Sequence, residues 1–73
     1  MPYRSNADLP PAIRDHLPEH AQAIFRAAFN AAFKAHAVDP RREEAAHRIA
    51  WGAVKRSYRK LGSVWVSKDG SRP

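Results

Sequence analysis

Cysteine is absent from this 73-residue chain, which removes both a disulfide framework and any cysteine-based zinc site. Glycine is scarce, at three residues, and leaves little from which to build a phosphate-cradling loop. No nucleophile elbow or Ser-His-Asp set stands out. Nowhere does the chain approach the roughly 18 consecutive apolar residues of a membrane span. The opening "MPYRSNADLPP" also lacks the apolar core of a secretory signal. These absences predict a protein that is not an enzyme, holds no cofactor, and resides in the cytoplasm without a transmembrane segment.

What remains is one small domain spanning residues 1–73. A single core of this size supplies only about 3–5 kcal/mol unless something staples it. The large apolar side chains are few, with three Phe, two Trp and two Tyr, so each is needed inside. The stretch "LPEHAQAIFRAAFNAAF" places Phe25, Phe29 and Phe33 four residues apart on a bed of alanines. That spacing lines one side of a helix, and the ladder is read as core, not as a gripping surface.

Charge is unevenly distributed. In the first 40 residues Arg4, Arg14, Arg26 and Lys34 balance Asp8, Asp15, Glu19 and Asp39. From Arg41 onward nine basic residues face Glu43, Glu44 and Asp69, so the whole net charge of +6 lies in the second half. Such asymmetry points to a polyanion, an anionic surface or an acidic partner.

Proline punctuation predicts three helices. Asp8 is placed to cap a short first helix that runs through Pro10 and Pro11 to about residue 16. Pro18 opens a second helix reaching about residue 37. Asp39-Pro40 opens a third, from residue 40 to about residue 60, with Gly62 suited to the left-handed position past its end. In "SVWVSKDGS" the alternating Val64, Trp65 and Val66 read as a strand. A strand needs a partner, and Pro2 to Arg4 is the other extended candidate. The expected fold is therefore mainly α: a compact short helix followed by a long helical hairpin. A minimal antiparallel two-stranded ribbon would pair the N- and C-terminal ends, with a frayed tail from about residue 68.

On the third helix, taken at about 100° per residue, His47, Trp51, Val54, Tyr58 and Leu61 form an apolar seam. Ala46, Ala50, Ala53 and Ser57 flank it. Together with Ile24, Phe25, Phe29 and Phe33 the seam makes the expected core, large residues facing small ones across an antiparallel pair. The opposite side collects Arg41, Arg48, Lys55 and Arg59, with Arg56 nearby, in a basic stripe about 27 Å long at 1.5 Å per residue. Glu44, four residues before Arg48, is placed to pair with it. The stripe is the candidate partner- or polyanion-binding surface; the alternative is a solvated face.

The histidines do not predict a metal site. His16 and His20 are separated by Pro18, and no carboxylate pair or cysteine completes a zinc shell. Trp51 reads as core. Trp65 either lies over the helices or stands exposed, where it would stack on a base or anchor a partner.

The blocks "LPEHAQAIFRAAFNAAF" and "EEAAHRIAWGAVKRSY", after an opening "MPY" and "DLPPAIRDHLPEHAQ", resemble the ChaB family of small bacterial proteins. The resemblance extends to about Trp65. It implies a compact helical domain with a small antiparallel strand pair. It also implies regulation of cation transport, through association with a calcium/sodium–proton antiporter. Relatives in insect viruses are regarded as DNA-binding. The short connection "AHAVDPRRE" and the less acidic tail depart from the enteric pattern, and both count against acidic loops that sense a cation. The expected function is thus a non-catalytic regulator or adaptor that meets a protein partner through the basic face, as a monomer or weak homo-oligomer. Binding nucleic acid through phosphate contacts on the same face is the alternative.

Overall fold

The structure is a computed structural model that describes residues 3–68. Among them are a 3-10 turn (Asn6–Asp8), helices α1 (Pro11–Arg14), α2 (Glu19–Ala35) and α3 (Arg42–Ser57), and strands β1 (Tyr58–Leu61) and β2 (Val64–Ser67). The mainly α architecture with a two-stranded antiparallel ribbon agrees with the sequence. The composition of the ribbon does not.

The first helix is shorter than expected, and Asp8 does not cap it. Leu9 and Pro10 are both extended, with ψ of 147° and 148°. Each precedes a proline, whose ring crowds the helical conformation of the residue before it. The helix can therefore begin only at Pro11. Asp8 instead turns back, and its Oδ2 accepts the Arg4 N–H at 3.3 Å.

Helix α2 starts after Pro18, which sits at its N-cap, and carries Glu19 in its first turn and Lys34 in its last. Both charges suit the helix dipole. Its inner side is Ala21, Phe25, Phe29 and Ala32, at most 6 % exposed. The phenyl rings run in a stack, Phe25–Phe29 centroids 6.2 Å apart and Phe29–Phe33 5.8 Å. Against them α3 sets Ala46, Ala50 and Val54, all fully buried. Methyl-sized residues let the helices approach closely, so the rings of α2 fill the space between them.

The centre of the α3 seam accordingly runs through Ala46, Ala50 and Val54 and on to Tyr58, which is 2 % exposed, so Val54 and Tyr58 of the expected line are core. Ile24, Phe33 and Trp51 pack half-buried around the core. His47, expected inside, is exposed. A helix crossing at alanine distance leaves no depth for an imidazole between the axes, so His47 sits at the rim. There its Nε2 accepts the Trp51 indole N–H at 3.0 Å. Beside Tyr58, the remainder of the core comes from Leu9, Ile13 and Leu17, each at most 4 % exposed.

Helix α3 begins at Arg42, not Pro40, because Asp39-Pro40 forms a turn ahead of it. Asp39 Oδ1 accepts the Arg41 N–H at 2.8 Å and its carbonyl accepts the Arg42 N–H at 3.0 Å. The connection is closed by Arg42, whose guanidinium lies 4.3 Å from the Phe33 ring centroid and donates to the Ala37 carbonyl.

At its other end α3 stops at Ser57. Tyr58 turns extended (φ −131°, ψ 154°) and begins a hairpin in register Tyr58↔Ser67, Arg59↔Val66, Lys60↔Trp65 and Leu61↔Val64. The two-residue turn is Gly62-Ser63, with Gly62 at φ +66°; a first turn residue with positive φ is the requirement of a type II′ hairpin. The partner of the Trp65 strand is thus the segment read as the last turn of helix three, not the N-terminal end. Leu61, expected in the core, stands beside the turn and is 55 % exposed. Tyr3 and Arg4 belong to no strand. Pro2, and the tail beyond residue 68 expected to fray, lie outside the described residues.

Candidate functional site

The hairpin divides the expected basic stripe. Arg41 precedes α3 in the turn held by Asp39. Arg48, Lys55 and Arg56 are exposed on α3, while Arg59 is exposed on β1. The five cations therefore do not follow one helical line.

Arg48 and Lys55 remain together on one side, two turns and about 10 Å apart along the axis. With Glu44, His47, Trp51 and Gly52 they line an open depression of about 570 Å³. Arg56 lies on the other flank, beside Ala28, Ala31, Ile49 and Ala53. Successive strand residues face opposite ways, so Arg59 points away from the side that Tyr58 and Lys60 share. Lys55 and Arg56 occupy the last turn of α3, where the carboxyl-terminal end of the helix dipole favours cations.

In the place expected for Arg59 the fold brings Lys60, which sequence reasoning left out of the site. Lys60 stands opposite Trp65 in the ribbon. The two join Ala12, His16, Trp51 and Lys55 around a second depression of about 420 Å³. The Trp51 and Trp65 rings lie 5.5 Å apart at 33°, both half-buried. Trp65 therefore neither disappears into the core nor stands free: one part of the indole covers Trp51 and the rest faces solvent. His16 is fixed by a 2.7 Å hydrogen bond between Nδ1 and the Ala12 carbonyl. Lys55 and Trp51 belong to both depressions, which makes them one continuous surface drawn from α1, α3 and the hairpin.

The signal for this arrangement was the two short runs Tyr58–Leu61 and Val64–Ser67 on either side of Gly62-Ser63, which set Lys60 opposite Trp65. Two runs of strand-forming residues separated by Gly-Ser are a hairpin pattern.

The described residues contain no group of three or more His, Cys, Asp or Glu side chains arranged to hold a metal ion. None of their helices is long and apolar enough to cross a membrane.

Comparison with known proteins places this architecture. The ChaB family profile matches residues 9–68. Proteins of Escherichia coli K12 and Shigella flexneri, each named "Putative cation transport regulator ChaB", are 44 % identical over 66 residues. The match covers 82 % of this chain and 87 % of theirs. A solution NMR structure of a protein described in the same words superposes with a TM-score of 0.82 at 42 % identity, over 92 % of this chain and 99 % of that one. The chain belongs to the ChaB family.

Proposed function

We propose that this protein is a non-catalytic regulator or adaptor in cation transport, which meets a protein partner through the basic side of α3. The relatives' shared name supports the regulatory reading. The family resemblance makes the cytoplasmic side of a calcium/sodium–proton antiporter the partner to test.

The observation that carries the reading is the pairing of Arg48 and Lys55 on a solvent-facing side that also holds a half-buried tryptophan. Cations alone describe a solvated helix. Cations around a partly exposed indole describe the composition of a protein interface, in which Trp and Arg are enriched. Arg41, Arg56 and Arg59 form the outlying charge, and their part is electrostatic attraction of the partner over a longer range.

The test is affinity capture of the cytoplasmic segments of a cation antiporter. Wild-type protein should retain them, and an Arg48→Ala/Lys55→Ala variant should lose them while unfolding at the same temperature. Retention by the variant would return the face to solvent. The nucleic-acid reading rests on the same charges and predicts a different result: binding to random duplex whose log K falls against log salt by about 0.9 per phosphate neutralised.

A further inference from the structure

The surface around Trp51 and Trp65 has a chemistry of its own. Seven side chains of this chain are aromatic in the Phe, Trp and Tyr sense, and the core uses Phe25, Phe29 and Tyr58 almost completely. Trp65 is used only in part. Its ring rests on Trp51, which in turn meets Phe25 edge-on at 5.3 Å, so the indole pair is anchored to the core at one end and open at the other. Around the open end stand Lys55, Lys60 and His16, with Ala12 completing the lining, and among the described residues no acidic side chain belongs to it. Glu44 belongs to the adjoining depression, beside Arg48.

We infer that this depression receives a short acidic peptide segment of a partner protein, with one apolar side chain against the indoles of Trp51 and Trp65 and flanking carboxylates on Lys55 and Lys60. The inference rests on the reading of the protein as an adaptor and specifies what the adaptor recognises. Charge complementarity selects the acidic character, since each flanking group is a cation or a histidine. The apolar anchor follows from the rings: an indole pair already covering one another at 5.5 Å leaves edges and one outer surface, which suit a leucine- or phenylalanine-sized side chain. A single strand stacks successive bases on successive aromatic platforms, and the pair, already covering one another, offers one outer surface and no second platform.

The site is also held in position. The Trp51 N–H is engaged by His47 at 3.0 Å, and the base of the ribbon is closed by the Lys68 N–H on the Ser57 carbonyl at 2.9 Å. Lys60 is therefore presented by a hairpin with a defined register, so less conformational freedom is lost when a carboxylate binds it.

The experiment uses the 73-residue chain and a synthetic peptide of about 12 residues, glutamates around a single leucine. Controls are the same peptide with serine for leucine, and an oligothymidylate of twelve nucleotides. The two indole N–H resonances in a proton–nitrogen correlation spectrum report on the site. The leucine peptide should shift both, and the serine peptide should bind about tenfold more weakly, the loss expected when an anchor is removed. Lys60→Ala should weaken the leucine peptide severalfold without altering the fold; it serves beside Trp65→Ala, whose loss of the ring disturbs packing. Val38→Ala, in the connection between α2 and α3 and 98 % exposed, should leave binding unchanged. Equal binding of the leucine and serine peptides, unmoved indole signals, or tighter binding of the oligothymidylate would each overturn the inference. Failure here and failure of the adaptor reading are separable. Antiporter capture that is lost with Arg48→Ala/Lys55→Ala but kept with Lys60→Ala leaves the adaptor reading standing without this site. Peptide binding at the indoles without any antiporter capture leaves the site without that partner.

Discussion

Asn30 pairs with Tyr3 in both directions: its Oδ1 accepts the Tyr3 N–H at 2.8 Å and its Nδ2 donates to the Tyr3 carbonyl at 2.7 Å. A side-chain amide thus supplies both bonds that a neighbouring strand would have supplied, 27 residues away in sequence. The Tyr3 ring then settles 4.9 Å from Phe29. Replacing Asn30 by Ala removes both bonds from a half-buried site, where unpaired backbone groups cost roughly 1–3 kcal/mol. Asn30→Asp is the sharper variant, because its carboxylate accepts from the N–H but has no hydrogen to give the carbonyl. Urea unfolding should rank wild type above both variants. An Asn30→Ala protein as stable as wild type would show that the amide pair contributes nothing.

The same residue predicts behaviour in alkali. Burial, and then the nearby negative charge of Glu43, raise the Tyr3 phenol above its ordinary value of 10.0. The folded protein therefore favours the neutral ring. The resulting stability is fully present below the unfolded value and is lost as pH rises through the folded one. Stability measured from pH 9 upward should fall more steeply in wild type than in Tyr3→Phe, which has no phenolic proton to lose. Parallel curves for the two proteins would exclude Tyr3 as the group responsible.

Phe29 and Phe33 occupy consecutive steps of one ladder but should respond differently to truncation. Phe29 is 1 % exposed, and Phe29→Ala should cost about 3–5 kcal/mol. That equals what a core of this size supplies, so the variant should be unfolded by circular dichroism at room temperature. Phe33 is only half-buried and lies under the Arg42 guanidinium. Phe33→Ala should leave a folded protein with a lower melting temperature. If the two variants melt alike, the ladder is not graded by burial.

How much of this was legible in advance depends on the kind of force involved. The Phe25-Phe29-Phe33 ladder was readable because helical periodicity is local and the small chain has no apolar surface to spare. Leu9, Ile13 and Leu17 carried a similar spacing of four, but the prolines between them obscured it. The depth of His47 was not readable: whether a residue beside the seam is buried depends on how closely the helices cross, and the alanines decide that only once both helices are present. The end of α3 was lost to a competition between two local readings. "SYRKLGSVWV" continues a helical pattern through Leu61 and equally spells a Gly-Ser hairpin. Pairing with Val64, Trp65 and Val66 resolves it for the hairpin, because a strand satisfies its backbone only with a neighbour. That one decision moved Arg59 off the stripe and brought Lys60 beside Trp65.

Gly52 and Gly62 should respond with opposite signs to the same substitution. A Cβ at either position would meet nothing within 4 Å, so neither change creates a clash and backbone conformation alone decides. Gly52 lies inside α3, where alanine restricts the unfolded chain and favours the helix. Gly52→Ala should therefore stabilise by about 0.4–1 kcal/mol. Gly62 has φ +66° at the hairpin turn, a left-handed conformation that a side chain disfavours by roughly 1–2 kcal/mol. Gly62→Ala should lower stability by about that amount and loosen the ribbon register that sets Lys60 opposite Trp65. Thermal unfolding of the two variants measures the sign directly, and the Trp65 indole N–H resonance should move in Gly62→Ala while keeping its position in Gly52→Ala. Stabilisation by Gly62→Ala would mean that the chain reverses between Leu61 and Val64 by a turn without a left-handed residue, and the ribbon described above would have to be redrawn.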